Sequence, residues 1–226
     1  MEIEIALYMM PVPISEASWN DVIPSGNVMI IRKVRHYIVE KVKTARRFLK
    51  KMCPEIDINS LHFHELNAHT PENEISGFLQ ALRDGEPMAL MSEAGCPGVA
   101  DPGAKVVAIA QSENMKVIPL VGPSSILLAL MASGLNGQKF TFNGYLPIDS
   151  SLRDKTIKEL ESESRRKDET QIFIETPYRN NRMLEALLKN LAGETLLCVA
   201  SDITSPDTEK IKTMPVKEWK KLKTGK

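Results

Sequence analysis

No stretch of the 226 residues approaches the about 20 consecutive apolar residues that a membrane-spanning helix requires. The start, Met1-Glu2-Ile3-Glu4, has no basic region ahead of an apolar core, so a secretory signal peptide is not expected. Cysteine is scarce. Cys53, Cys96 and Cys198 are far apart and without CxxC spacing, which removes the usual sequence support for zinc binding or dithiol redox chemistry. Reduced thiols in a cytoplasmic protein are the expectation. Net charge is also missing: 29 basic side chains face 29 acidic ones. The whole-molecule field therefore steers the chain neither to nucleic acid nor to a membrane, and any attraction for a polyanion must be local. No internal repeat or low-complexity segment is present.

What remains is an ordinary globular composition, 42% hydrophobic and 26% charged. Short apolar runs alternate with segments of helical period, which predicts an α/β fold. Strands are expected at Ile3 to Met10, Asn27 to Arg32, Pro87 to Met91 and Lys116 to Leu120. Helices are expected at Val39 to Met52, Glu74 to Arg83 and from Asp101-Pro102 to about Asn114, with another capped by Ser124 or Ser125 and ending near Ser133-Gly134. The second half reads as strands at Lys139 to Tyr145, Gln171 to Ile174 and Thr195 to Ala200, separated by helices at Leu152 to Ser164 and Asn181 to Leu191. Lys210 to Lys226 reads as a strand, a short helix and a tail. A domain boundary is expected near residue 119, giving an N-terminal α/β domain at 1–118 and a C-terminal one at 119–226.

The segment Ser92-Glu93-Ala94-Gly95-Cys96-Pro97-Gly98-Val99-Ala100-Asp101-Pro102-Gly103 carries the strongest signal. It is a tight loop between a strand and a helix, the place where open α/β sheets bind ligands. Its glycines let backbone approach a ligand closely. Yet it is neither GxGxxG nor GxxxxGK[ST], and it has no lysine for phosphates. Glu93 and Asp101 would repel a nucleotide's phosphates and tolerate an ammonium or sulfonium charge. S-adenosylmethionine carries both cations and no phosphate. A glycine-rich turn with a capping Asp also has a purely structural use. A second turn, Val121-Gly122-Pro123-Ser124-Ser125, follows the next strand, and a crevice shared by the two is expected.

Ser92 to Gly103, the Val121 to Ser125 turn, Gly144-Tyr145-Leu146-Pro147 and Glu175-Thr176-Pro177-Tyr178-Arg179 occur in an order that resembles the tetrapyrrole methylase family. The likeness runs from about Leu7 to about Asp202. Within the family it is greatest to the branch that methylates a ribose 2′-hydroxyl in small-subunit ribosomal RNA. The chain departs from that branch at Ser15, where the branch has glycine, at Glu40-Lys41-Val42-Lys43-Thr44-Ala45-Arg46, which stands for a Glu-Asp-Thr-Arg segment, and at Ser201-Asp202-Ile203-Thr204.

The resemblance implies two α/β domains with S-adenosylmethionine in the cleft between them, held largely by backbone. The contacts it implies are Pro11, Ser92, Glu93, Ala94, Gly95, Val99, Ala100, Ser124, Ser125, Tyr145, Leu146, Glu175, Thr176 and Pro177. It further implies direct displacement at the sulfonium methyl, an RNA partner and a homodimer, with no metal. A ribose hydroxyl is a poor nucleophile and needs a base or an orienting partner. Candidates are Glu40, Arg46, Glu65 and Asn67, the last two within His64-Glu65-Leu66-Asn67, which resembles a polar stretch of the ribosomal branch. The shared fold also permits a tetrapyrrole or other small acceptor, or a binding module without catalysis.

Arg32 to Lys51 sets Arg32, Lys33, Arg35, Lys41, Lys43, Arg46, Arg47, Lys50 and Lys51 against one acid, Glu40. On a helix the basic residues fall opposite the apolar stripe. A solvated face explains this, and so does a phosphate-tracking patch for RNA, the reading the resemblance favours. His62 and His64 alternate on an expected strand and share a face. A metal there would need a third ligand, and ordinary packing is the expected role.

Overall fold

The computed structural model describes residues 3–16, 19–67 and 69–223. Its Cα packing forms two compact units, one running to Ser124 and including 204–206, the other comprising 125–203 and the chain from 207 on. Both are α/β.

The first unit holds five strands: β1 (Leu7–Met10), β2 (His36–Val39), β3 (His62–Glu65), β4 (Met88–Met91) and β5 (Val117–Pro119). They form one parallel sheet in the order β3-β2-β4-β1-β5. The central strands are apolar at consecutive positions because both faces are covered. Tyr8, Met10, Tyr37, Val39, Ala89 and Met91 face one layer, where α2 (Gly26–Lys33) and α3 (Val42–Met52) bury Ile31, Ala45, Leu49 and Met52. Leu7, Met9, Ile38, Met88 and Leu90 face the other, built from α4 (Glu72–Ile75), α5 (Gln80–Arg83) and α6 (Gly103–Ser112). A short α1 (Trp19–Val22) precedes α2.

Three sequence expectations fail here. Asn27 to Arg32 is the helix α2, not a strand: Asn27 and Ile31, four residues apart, are its buried residues, and the Asn27 amide donates to the Val121 carbonyl at 3.1 Å. A four-residue apolar run cannot be assigned by period alone. Val39 to Met52 is not continuous helix. His36–Val39 is a strand paired on both sides, and the helix begins at Val42. Glu74 to Arg83 is broken, since a 3-10 turn at Ser76–Leu79 separates α4 from α5. The first strand is also shorter than expected, beginning at Leu7.

The second unit contains α7 (Ser125–Ser133), β6 (Phe140–Tyr145), α8 (Ser150–Lys167), β7 (Thr170–Ile174), α9 (Asn180–Asn190), β8 (Leu196–Ser201), β9 (Lys210–Pro215) and α10 (Val216–Lys223). β6 pairs β7 in parallel, and β8 pairs β9 antiparallel, as two separate two-stranded sheets. Asp149 caps α8 by accepting from the Leu152 N–H at 2.8 Å. The core is Leu146, Ile157, Met183, Ala186, Leu187, Leu188, Leu197 and Val216. The tail expected at the C-terminal end lies outside the described residues beyond 223. Among the described residues no helix is long and apolar enough to cross a membrane.

Candidate active site

Parallel strands deliver their following loops to one edge of a sheet. In the first unit this edge gathers Pro11 after β1, Glu40 after β2, Leu66 and Asn67 after β3, Ser92 after β4 and Leu120 after β5. Three of these loops meet, two of them joined by backbone hydrogen bonds. Val12 and Gly95 exchange hydrogen bonds, Val12 N–H to Gly95 O at 3.0 Å and Gly95 N–H to Val12 O at 3.1 Å. Gly95 has φ +73°, and a Cβ there would lie 3.3 Å from Ile14. Gly122 lies flat on the Pro11 ring, so close that an added Cβ would sit 2.2 Å from Pro11 Cγ. The Ser92 hydroxyl donates to the Ala94 carbonyl at 3.2 Å. The Cys96 thiol reaches the Pro123 carbonyl at 3.4 Å, and burial raises its pKa.

This knot leaves the tip of the 92–103 loop free. Val99 and Ala100 are exposed, and Ala100 takes a left-handed φ of 57°. That conformation costs a non-glycine residue about 1–2 kcal/mol. The loop is fixed from behind by Asp101, whose carboxylate Oδ1 accepts from the N–H groups of Gly98 and Gly103, both at 2.8 Å. The expected cap is shifted by one residue: Pro102, not Asp101, is the N-cap, α6 starts at Gly103 rather than at the proline, and Asp101 binds the first helical N–H from one residue further out.

Glu40 reaches the same loop, its Oε1 accepting from the Glu93 N–H at 3.2 Å. Burial raises the pKa of Glu40 against that hydrogen bond, and the charges of Asp101 and Glu93 add to the rise. Burial also raises Asp101, opposed by its two N–H donors. The two carboxylates line a cavity of about 10 Å³ together with Leu66 and Gly103, about the size of one water.

Of the other expected catalytic residues, Glu65 and Asn67 are joined by a 3.3 Å hydrogen bond from Asn67 Nδ2. Asn67 Oδ1 also accepts from the His69 N–H at 2.9 Å, so Asn67 shapes its own turn. Arg46 lies on α3 with its guanidinium 5.5 Å from the Phe63 ring centre. No hydrogen bond joins it to Glu40 among the described residues. His62 stacks on His36 at 4.8 Å and His64 on Phe78 at 5.2 Å. Among the described residues no group of three or more His, Cys, Asp or Glu is arranged to hold a metal.

In the second unit, Ser125 opens α7, Tyr145 ends β6 and Leu146 follows it, Tyr145 exposed and Leu146 buried. The turn after β7 is organised by an ion pair the sequence reading did not assign. Arg179 lies 3.0 Å from Glu175 Oε2, both side chains largely buried, and also donates to the Leu146 carbonyl at 3.2 Å. Glu175 Oε1 accepts from the Thr176 N–H at 2.8 Å. One guanidinium thereby links the Tyr145-Leu146 turn to the Glu175–Pro177 turn. The i,i+4 spacing of Glu175 and Arg179 was the available signal.

The model of the tetrapyrrole (corrin/porphyrin) methylases matches residues 23–220. The chain belongs to the tetrapyrrole methylase family. It is a methyltransferase, and the family's methyl donor is S-adenosylmethionine. Among its relatives is a Vibrio cholerae serotype O1 protein named ribosomal RNA small subunit methyltransferase I, 31% identical over 217 residues, covering 94% of this chain and 69% of that protein. A protein of the same name from a Synechocystis species is 31% identical over 198 residues, covering 88% of this chain and 67% of its own length. Two solved structures share the fold. They are the methyltransferase CobJ (TM-score 0.58, 16% identity, 88% of this chain and 82% of that one) and the cobalt precorrin-4 methyltransferase CbiF (TM-score 0.58, 14% identity, 98% and 90%).

The donor set of the first unit fits this methyl donor. Residues 92–103 contain no lysine or arginine, Glu40 and Asp101 place carboxylates behind a loop that offers backbone at its tip, and the Glu93 carboxylate lies 3.7 Å from the Lys41 ammonium. Such a site suits a cationic, phosphate-free ligand.

Proposed function

We propose that this chain methylates a ribose 2′-hydroxyl of small-subunit ribosomal RNA. The observation that carries the reading is the 31% identity, over 94% of the chain, to a relative named for that class of substrate. The cofactor is held in the first unit by Pro11, Ser92, Glu93, Ala94, Gly95, Val99, Ala100 and Ser124. In the second, Ser125, Tyr145, Leu146, Glu175, Thr176 and Pro177 contribute. The break between the two domains falls within residues 119–125.

S-adenosylmethionine, when bound, supplies a methyl group activated by its sulfonium. The protein's part is to align the acceptor oxygen and to receive its proton. Glu40 is the base we favour, because a carboxylate raised by burial binds a proton more readily at neutral pH than an exposed one. Glu65 and Asn67 orient the ribose. Lys43, Arg47 and Lys51 of α3, exposed on the face away from Ala45 and Leu49, follow the RNA backbone. Arg46, held over Phe63, marks the end of that track nearest the reaction. The protein acts in the cytoplasm as a homodimer, a reading supported by the exposed Leu127 and Met131 of α7.

The test is methyl transfer from labelled S-adenosylmethionine to separated small and large ribosomal subunits, free RNA and a porphyrin. Label in small-subunit RNA, resistant to alkaline cleavage at the modified nucleotide, is the expected result. Label in the porphyrin alone, or none on any acceptor, would overturn the assignment.

A further inference from the structure

Among the described residues, Ala100, Asn114, Asp168, Asp202 and Thr204 take a left-handed φ without being glycine. Asn and Asp enter this region most readily, because their short polar side chains can bond locally. Asn114 stands just beyond the end of α6 and Asp168 closes α8, where such a conformation is ordinary. Residue type does not account for the other two. Ala100 is at the tip of the cofactor loop. Thr204 has φ +72°, and its branched Cβ makes it the more costly of the pair. Strain of this kind persists only where the surroundings over-determine it, and it gathers at functional sites.

The surroundings of Thr204 belong to a cofactor loop. Thr204 lies in the connection 202–209 between β8 and β9, and 204–206 pack with the first unit while the flanking strands belong to the second. Its hydroxyl shares a hydrogen bond of 2.9 Å with the hydroxyl of Ser15, 189 residues earlier. Ser15 ends the segment that starts at Pro11. The start of that segment is fixed by the Gly122 contact and the Val12–Gly95 bridge. Ile14 lies against Gly95. The hydroxyl pair fixes the other end. A change of φ at Thr204 to the negative range would swing its Cβ, and with it the hydroxyl, away from the present direction. The strained backbone and the contact with Ser15 therefore go together.

We propose that Thr204 is a positioning residue for the methyl donor: its left-handed backbone aims the hydroxyl at Ser15 and holds the Pro11–Ser15 segment in the conformation that receives S-adenosylmethionine. Thr204 acts through Ser15. This role rests on the assignment of Pro11 to cofactor binding and is independent of the methyl acceptor.

The test measures S-adenosylhomocysteine affinity by calorimetry and the denaturant midpoint of unfolding, both on the whole chain. Thr204→Val keeps the shape and loses the hydroxyl, so Kd should rise about three- to tenfold, the worth of one hydrogen bond. Ser15→Ala should do the same, and the double variant should bind no more weakly than either single one, since the same bond is lost. Thr204→Ser keeps the hydroxyl and should bind within about twofold of the parent. Thr204→Gly separates positioning from stability. It releases the strain, so its midpoint should not fall below the parent's, yet it should bind as weakly as Thr204→Val. Parent-like binding by Thr204→Val, additive losses in the double variant, or affinity that follows the unfolding midpoint across the set would each overturn the proposal. Gly95→Val checks the cofactor site separately. If it loses binding while Thr204→Val binds normally, Thr204 alone is refuted. If Gly95→Val binds normally, the loop assignment fails and the role of Thr204 fails with it.

Discussion

The contact of Gly122 with Pro11 makes a quantitative demand. Gly122 does not need a left-handed backbone, so its freedom of φ is not the issue; what matters is space. A Cβ would stand 2.2 Å from Pro11 Cγ and 2.4 Å from Pro11 Cβ. Real Cβ contacts essentially never fall below 3.0 Å, so one loop must move by about 0.8 Å. The pyrrolidine ring cannot rotate away as a flexible side chain would. Gly122→Ala is therefore an overpacking substitution, expected to cost about 1–3 kcal/mol of stability. The same shift moves the Pro11 and Val121–Ser124 loops, both assigned to cofactor binding. Displacements near 1 Å can cost about 100-fold in rate, so kcat/KM should fall by about 10- to 100-fold.

Pro11→Gly removes both offending atoms. By itself it loosens the unfolded chain and should be mildly destabilising. Combined with Gly122→Ala it should restore stability relative to the sum of the single changes, with a coupling of about 1–3 kcal/mol. The assay is a double-mutant cycle by denaturant unfolding, with S-adenosylhomocysteine affinity measured by calorimetry on all four proteins. Additive effects, or a Gly122→Ala variant that binds and unfolds like the parent, would refute the claim that these two loops are held at contact distance.

Glu40→Gln keeps an acceptor for the Glu93 N–H but cannot take a proton, and should lower kcat by about 10²- to 10⁴-fold if Glu40 is the base. Because the folded-state pKa of Glu40 is raised, its stabilising contribution is present below the ordinary carboxylate value of 4.5 and is lost as pH rises through the folded value. The parent should therefore lose stability relative to Glu40→Gln above pH 4.5, and a pH-independent difference would reject the burial argument. Arg179→Met strands the buried Glu175 carboxylate and should cost about 3–5 kcal/mol by denaturant unfolding, while adding Glu175→Gln recovers part of it; no recovery would mean the pair does not act as a unit. Reversing Lys43 and Arg47 to Glu should weaken RNA binding without regard to sequence and flatten the salt dependence of log affinity by about one unit per lost contact, with S-adenosylhomocysteine binding unchanged; an unaltered salt slope would make the face of α3 a solvated surface only.

The site was readable in sequence where its chemistry is local, and unreadable where it depends on pairing. Ser92 to Gly103 could be read because a strand, a glycine-rich turn and an aspartate before a proline lie consecutively, although the helix start falls one residue later than that pattern suggests, with Pro102 as the N-cap and Asp101 bound to the Gly103 N–H. Ile3 to Met10 and Pro87 to Met91 could be read as strands because both are apolar and end in turn residues. His36–Val39 was lost into a helix because four residues followed by Glu40-Lys41 give a period-3.6 window as easily as a period-2 one, and only pairing with β3 and β4 decides between them. Asn27 to Arg32 went the other way for the same reason, its helical state fixed by the bond from Asn27 to Val121, 94 residues distant. The Gly122–Pro11 contact and the Val12–Gly95 bridge could not be found from one chain position, because each needs two loops that only the strand order β4-β1-β5 brings side by side. Backbone bonds and ring contacts join the loops to one another, and the Asp101 and Glu40 carboxylates fix the Ser92–Gly103 loop from behind.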